Sequence, residues 1–156
     1  MTELEFVVGN LPPEPLWVPV IDFKLPCGFP SPADDYQVEL IDLNRIFFRN
    51  PDSSFLARAT GESMTGAFIQ DGDLLGIDRS VTPRDGDVVV AWVDGAYTVK
   101  TLSKRPDRVR LLPANPAFEP VDIKCPEEVR IWGVVIVVLH TLVHESRLGL
   151  SYVRPC

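Results

Sequence analysis

Val88-Val89-Val90-Ala91-Trp92-Val93-Asp94-Gly95-Ala96-Tyr97-Thr98-Val99-Lys100-Thr101-Leu102 is the stretch whose reading decides the fold. Two runs of β-branched and aromatic residues flank Asp94-Gly95, a pair suited to a type I′ turn because both central residues must take positive φ. That is a hairpin. Outward from it the same grammar repeats: Arg84-Asp85-Gly86-Asp87 and Gln70-Asp71-Gly72-Asp73 read as turns, and Phe55–Ala59, Leu74–Asp78, Arg108–Leu112 and Val129–Leu139 as further strands. A short helix is expected before them. Asp42 is a candidate N-cap, Leu43, Ile46 and Phe47 repeat at helical spacing, and Asn50-Pro51 stops the run. The domain is therefore expected to be mostly β, compact and twisted.

The N-terminal side reads differently. Of the fifteen prolines in 156 residues, seven (Pro12, Pro13, Pro15, Pro19, Pro26, Pro30, Pro32) lie between Leu11 and Pro32. Each removes a backbone donor and fixes φ, so residues 1–36 are expected to form an extended arm, neither helical nor inside a sheet. The arm nevertheless carries Leu16, Trp17, Val18, Val20, Ile21 and Phe23, which suits a segment lying on a surface of its own core, a second copy or a partner. Residues 37–156 are then the β-domain. The tail from His144 to Cys156 shows no period.

Charge and composition exclude several classes. A net charge of −7 repels phosphate, so direct sequence-specific DNA binding is not expected, and the basic residues Lys100, Lys104, Arg105, Arg108 and Arg110 read as a solvated strand pair. Cys27, Cys125 and Cys156 lack metal-ligand spacing, and no basic, apolar leader opens the chain, so free thiols in a reducing cytoplasm are expected, with no metal or cofactor. No apolar run is longer than the six residues of Val134 to Leu139, against about 18 for a membrane span.

Gly61-Glu62-Ser63-Met64 follows a strand and precedes a glycine-containing turn, a place where a serine hydroxyl stands free and adjacent amides can converge on one point. Such a serine needs a base. His140 and His144 have no evident carboxylate to orient them, so a Ser–His–Asp triad is poorly supported. Lys100, within a strand and with Thr98, Val99 and Thr101 as neighbours, can serve if burial brings its pKa from about 10.4 to near neutrality.

Gly61-Glu62-Ser63-Met64, Asp71-Gly72-Asp73-Leu74-Leu75, Gly86-Asp87-Val88-Val89 and Thr98-Val99-Lys100 together resemble the catalytic domain shared by LexA repressors and UmuD-type proteins, over roughly residues 20–142. Leu25-Pro26-Cys27-Gly28-Phe29-Pro30 through Tyr36 resembles the UmuD cleavage region. The resemblance implies Ser63 as nucleophile, Lys100 as general base, and the amides of Ser63 and Met64 as oxyanion donors. It implies self-cleavage between Cys27 and Gly28, a homodimer, an activating RecA filament on single-stranded DNA, and a Y-family DNA polymerase subunit as partner in translesion synthesis. A glycine after the scissile bond also lets backbone approach a nucleophile closely. With 27 residues before that bond, and prolines among them, no helix-turn-helix domain is expected there. Residues 1–27 carry −3 of the net charge and leave −4 on the rest of the chain. Three other readings stay open: a non-catalytic interaction module of the same fold, a signal-peptidase-like hydrolase, and a truncated LexA-like repressor.

Overall fold

The structure is a computed structural model that describes residues 5–7, 14–22, 37–124 and 129–143. The expected scissile pair Cys27-Gly28, and Cys125, His144 and Cys156, lie outside the described residues.

Among the described residues ten strands and one short α-helix follow in order: β1 (Glu5–Val7), β2 (Trp17–Asp22), β3 (Gln37–Asp42), α1 (Leu43–Phe47), β4 (Ser54–Arg58), β5 (Leu74–Asp78), β6 (Val88–Val93), β7 (Ala96–Lys104), β8 (Val109–Leu112), β9 (Val121–Ile123) and β10 (Val129–Leu139). The fold is mostly β, as expected. Eight strands form one antiparallel sheet ordered β1-β4-β5-β10-β6-β7-β8-β9, and β2-β3 form a separate two-stranded ribbon. The β6–β7 hairpin turns at Asp94 (φ 49°) and Gly95 (φ 84°), the left-handed pair that the sequence demanded.

The long strand β10 holds the sheet together. Its first half pairs with β6 from Val129↔Val93 to Val134↔Val89, and its second half with β5 from Val134↔Asp78 to Leu139↔Leu74. Register shifts at Ile131/Gly133 and Val135/Val137 bend it between the two partners. Alternation then sends β6 side chains into two cores. Val90 joins Ala57, Leu75, Ile77 and Val99, whereas Val89 and Ala91 join Leu102, Leu111 and Val134. Burial on both faces explains why this strand reads as a nearly continuous apolar run.

The N-terminal side, expected outside any sheet, differs from expectation twice: β1 pairs with β4 at the edge of the large sheet, from Glu5↔Arg58 to Val7↔Leu56, and the proline-rich segment itself contributes a strand. Trp17–Asp22 is a strand and pairs with Gln37–Asp42 from Trp17↔Asp42 to Asp22↔Gln37, with Pro19 opposite Leu40. A two-stranded ribbon consists of edge strands, where a missing donor is tolerated, so Pro19 is compatible with it although proline would break a central strand. The preceding residues are tied to the helix start. Asp42 caps α1 by accepting from the amide of Asn44 at 3.1 Å, and also accepts from the amide of Leu16 at 3.0 Å. The amide of Leu43 donates to the Leu16 carbonyl at 2.9 Å, and Asn44 Nδ2 to the Glu14 carbonyl at 2.8 Å.

Asp78, fully buried at the end of β5, organises the approach to β4. Its carboxylate accepts from Asn50 Nδ2, Ser53 Oγ, the Ser80 amide and Ser80 Oγ at 2.7 to 3.1 Å. Burial alone pushes its pKa up, but the Ser80, Ser53 and Asn50 hydrogen bonds outweigh that and hold it below 3.8. The ionised form is thus favoured by folding. Its stabilisation is present above the unfolded value of 3.8 and is lost as pH falls through the lower folded value. Asp78→Asn is expected to destabilise the domain by about 2 kcal/mol at neutral pH. Urea unfolding should show the gap between variant and wild type closing as the pH is taken below 3.8.

Candidate active site

Ser63 lies between β4 and β5, in a turn that the rest of the chain holds from several sides. Gly61 donates its amide to Asp71 Oδ1 at 2.7 Å. From beyond β8, the Ala114 amide donates to the Ser63 carbonyl at 2.8 Å, and Asn115 Nδ2 donates to the Glu62 carbonyl at 2.9 Å. The Gly66 amide donates back to the Ala114 carbonyl at 2.7 Å. This double bridge fixes the serine backbone on both sides, and a methyl at Gly66 would sit 2.2 Å from the Ala114 oxygen. Met64 packs into the first core cluster, which anchors the turn from below.

Lys100 comes from the middle of β7, opposite Val89. It is buried, with 8 % of its surface exposed, and Ser63 is 5 % exposed. The amine Nζ donates to Ser63 Oγ at 3.0 Å, to Thr98 Oγ1 at 2.9 Å and to the Val99 carbonyl at 3.0 Å. Thr98 and Lys100 are two residues apart on one strand and share a face, which brings the threonine hydroxyl to the amine. An ammonium has three N–H bonds, and these three oxygens satisfy them all. None of the three carries charge. With no carboxylate at the amine among the described residues, burial is uncompensated and pushes the Lys100 pKa down from 10.5. Chemically, this is a serine hydroxyl held against an amine that gives up its proton more readily than an exposed lysine.

The other sequence candidates resolve differently. His140 does have a carboxylate partner, which corrects the expectation that it lacked one: its Nδ1 lies 2.6 Å from Asp73 Oδ1. Asp73 Oδ2 accepts from the Gln70 amide at 2.7 Å, so the pair closes the turn before β5 and the imidazole is directed to Asp73, not to Ser63. The basic stripe is not continuous. Lys100 is inside, and Arg110 Nε forms an ion pair with Asp122 at 2.8 Å, leaving Lys104, Arg105 and Arg108 at the surface. Among the described residues no cluster of histidine, cysteine, aspartate or glutamate is arranged to hold a metal ion, and no helix is long and apolar enough to cross a membrane. Sequence reasoning missed Thr98 as a second oxygen on the amine, although its place two residues before Lys100 was a signal. The brace from Ala114 and Asn115 had none, because it joins a loop more than fifty residues away by hydrogen bonds.

Comparison with known proteins identifies the family. The family model described as Peptidase S24-like matches residues 19–136. Protein SamA of Salmonella typhimurium strain LT2 is 43% identical over 122 residues, covering 78% of this chain and 84% of that protein. Protein MucA of Escherichia coli is 40% identical over 124 residues, covering 78% and 82%. The LexA repressor of Xylella fastidiosa strain M23 is 38% identical over 119 residues, which is 76% of this chain and 56% of the repressor. The chain belongs to the Peptidase S24-like family, as an SOS mutagenesis protein of the UmuD type whose motifs it carries.

Proposed function

We propose that this protein is a self-cleaving serine endopeptidase of the SOS response that removes its own N-terminal arm, residues 1–27, from a catalytic and dimerisation domain. The observation that carries the reading is the 3.0 Å approach of Lys100 Nζ to Ser63 Oγ in a buried site without a counter-charge among the described residues. Lys100 first loses a proton to solvent. The neutral amine then takes the Ser63 hydroxyl proton as Oγ attacks the Cys27 carbonyl carbon. The amides of Ser63 and Met64 stabilise the resulting oxyanion. Collapse of this intermediate breaks the Cys27–Gly28 bond, and Lys100 returns its proton to the departing Gly28 nitrogen. A water molecule, deprotonated by Lys100, then hydrolyses the Ser63 ester and releases residues 1–27.

The Thr98 hydroxyl and the Val99 carbonyl hold the amine in line with Ser63 throughout. In the cell the shortened protein acts as a homodimeric accessory subunit of a Y-family translesion DNA polymerase, in the cytoplasm, after activation by the RecA filament on single-stranded DNA. The family membership and the resemblance around Cys27-Gly28 support these roles. Loss of the arm strips Trp17 from its place on the ribbon, and Trp17, Val38 and Leu40 are all more than half exposed there, so the remaining strand offers apolar surface to a partner.

The test is incubation of the purified protein at about pH 10, close to the ordinary lysine pKa, followed by intact mass. A product beginning at Gly28 is expected without any activator. If none forms there, or with the RecA filament and ATP, the chain is a binding module that keeps the fold. The pH profile carries a further prediction. Because burial lowers the Lys100 pKa, the rate should rise about tenfold per pH unit while the amine is mostly protonated, and level off before 10.5. A rate independent of pH through this range would exclude a lysine base.

A further inference from the structure

A second cluster, unconnected with Ser63, lies on the sheet face that covers the first core. Register sets Arg130 of β10 beside Trp92 of β6, and Trp92 beside Tyr97 of β7. The Trp92 and Tyr97 rings meet edge to face at 4.6 Å, and Tyr97 and Trp132 at 6.0 Å. Arg79, just beyond β5, lays its guanidinium 5.0 Å from the Trp132 ring centre. These five side chains line a cleft of about 270 Å3.

Tyr97 and Trp132 pack on the core, but Trp92 is 40 % exposed, and both arginines lie at the surface. Neither arginine meets a carboxylate among the described residues. Exposed π-surface in one cleft with two cations fits a ligand that alternates flat rings with negative charge. We propose that this cleft binds single-stranded nucleic acid, with one base stacked on Trp92 and the flanking phosphates on Arg79 and Arg130. A double helix does not fit the same chemistry, because its bases present edges rather than faces. The overall charge of −7 opposes the strand at long range, so the contact is short-range, indifferent to sequence and sensitive to salt.

The test is fluorescence anisotropy of a labelled oligothymidylate titrated with the full chain at low salt. Two phosphate contacts predict a log–log salt slope of about −1.4. Trp92→Ala should weaken binding about tenfold or more, with Trp92→Phe recovering most of it. Arg130→Gln should weaken binding and flatten the slope by about 0.7. All three substitutions are at exposed positions, and circular dichroism identical to wild type verifies the fold. No binding at low salt, or unchanged binding in both Trp92→Ala and Arg130→Gln, overturns the proposal. Competition by polyglutamate equal to that of unlabelled oligothymidylate would also overturn it, pointing to an acidic protein instead. So would equal competition by thymidine monophosphate, which would make the ligand a free nucleotide.

Discussion

Ser63→Ala is expected to abolish self-cleavage at every pH, and Lys100→Ala to slow it about 10²- to 10⁴-fold, the usual worth of a positioned general base. The two effects differ because alanine at Ser63 removes the atom that forms the acyl bond. Loss of Lys100 leaves a hydroxyl that solvent can still deprotonate, so the residual rate should climb with pH without levelling. Lys100→Arg tests the same idea from the other side. A guanidinium keeps the charge and the donors but cannot give up a proton in this range, so it should be as inactive as alanine.

Lys100→Met separates chemistry from stability. The buried amine has three hydrogen bonds but no counter-ion among the described residues, and its lowered pKa means that the unfolded chain binds its proton more tightly than the folded one. Wild-type stability from this group is therefore lowest below the folded pKa and recovers as pH rises towards 10.5. Each unit of lowering costs about 1.4 kcal/mol at neutral pH. An inactive Lys100→Met protein should consequently resist urea better than wild type at neutral pH, and lose that advantage in alkali. Equal midpoints at all pH values would show that the three hydrogen bonds offset the burial in full.

Gly66→Ala should have the second largest effect, although residue 66 takes no part in the chemistry. Its added methyl would meet a backbone oxygen at 2.2 Å, and the Ala114 carbonyl is fixed by the Gly66 amide itself. Neither side can yield without breaking the bridge that also carries Ala114 to the Ser63 carbonyl. Overpacking of this kind costs about 1–3 kcal/mol. Cleavage should fall about 100-fold, since displacements near 1 Å at a reacting atom have that consequence. A variant with lowered Tm but wild-type cleavage would show that Ser63 is held by Met64 and Asp71 without the Ala114 bridge.

Much of this was legible in the chain. β6 and β10 are rich in β-branched residues, and Asp-Gly turns precede β5 and β6 and join β6 to β7, so period and punctuation coincide through the middle of the sheet. Asp42 announced the helix start because its short carboxylate can reach the second amide beyond it. The misses share a cause. β3, Gln37–Asp42, mixes Val38 and Leu40 with Glu39 and has no turn signal that ties it to β2; its pairing is decided by a segment fifteen or more residues earlier. β9 has three residues, too few for alternation to register, and is a strand because Leu111 and Val109 of β8 offer it an edge. At the site, the serine and lysine were readable through the resemblance. Their separation was not, since it depends on the path of β10 between them.

That path has a mechanical meaning. Ser63 follows β4 and Lys100 belongs to β7, and in the sheet order β4-β5 and β6-β7 meet through β10. Within the sheet, nucleophile and base thus belong to two half-structures spliced by a single strand, whose residue Val134 pairs with both. Fraying of either outer edge leaves the splice intact, whereas slippage of β10 by one residue would misalign the halves and invert its side chains at once. Competence of the site and integrity of the whole sheet are therefore one cooperative property, and amide protons along β10 should exchange with solvent on the timescale of global unfolding.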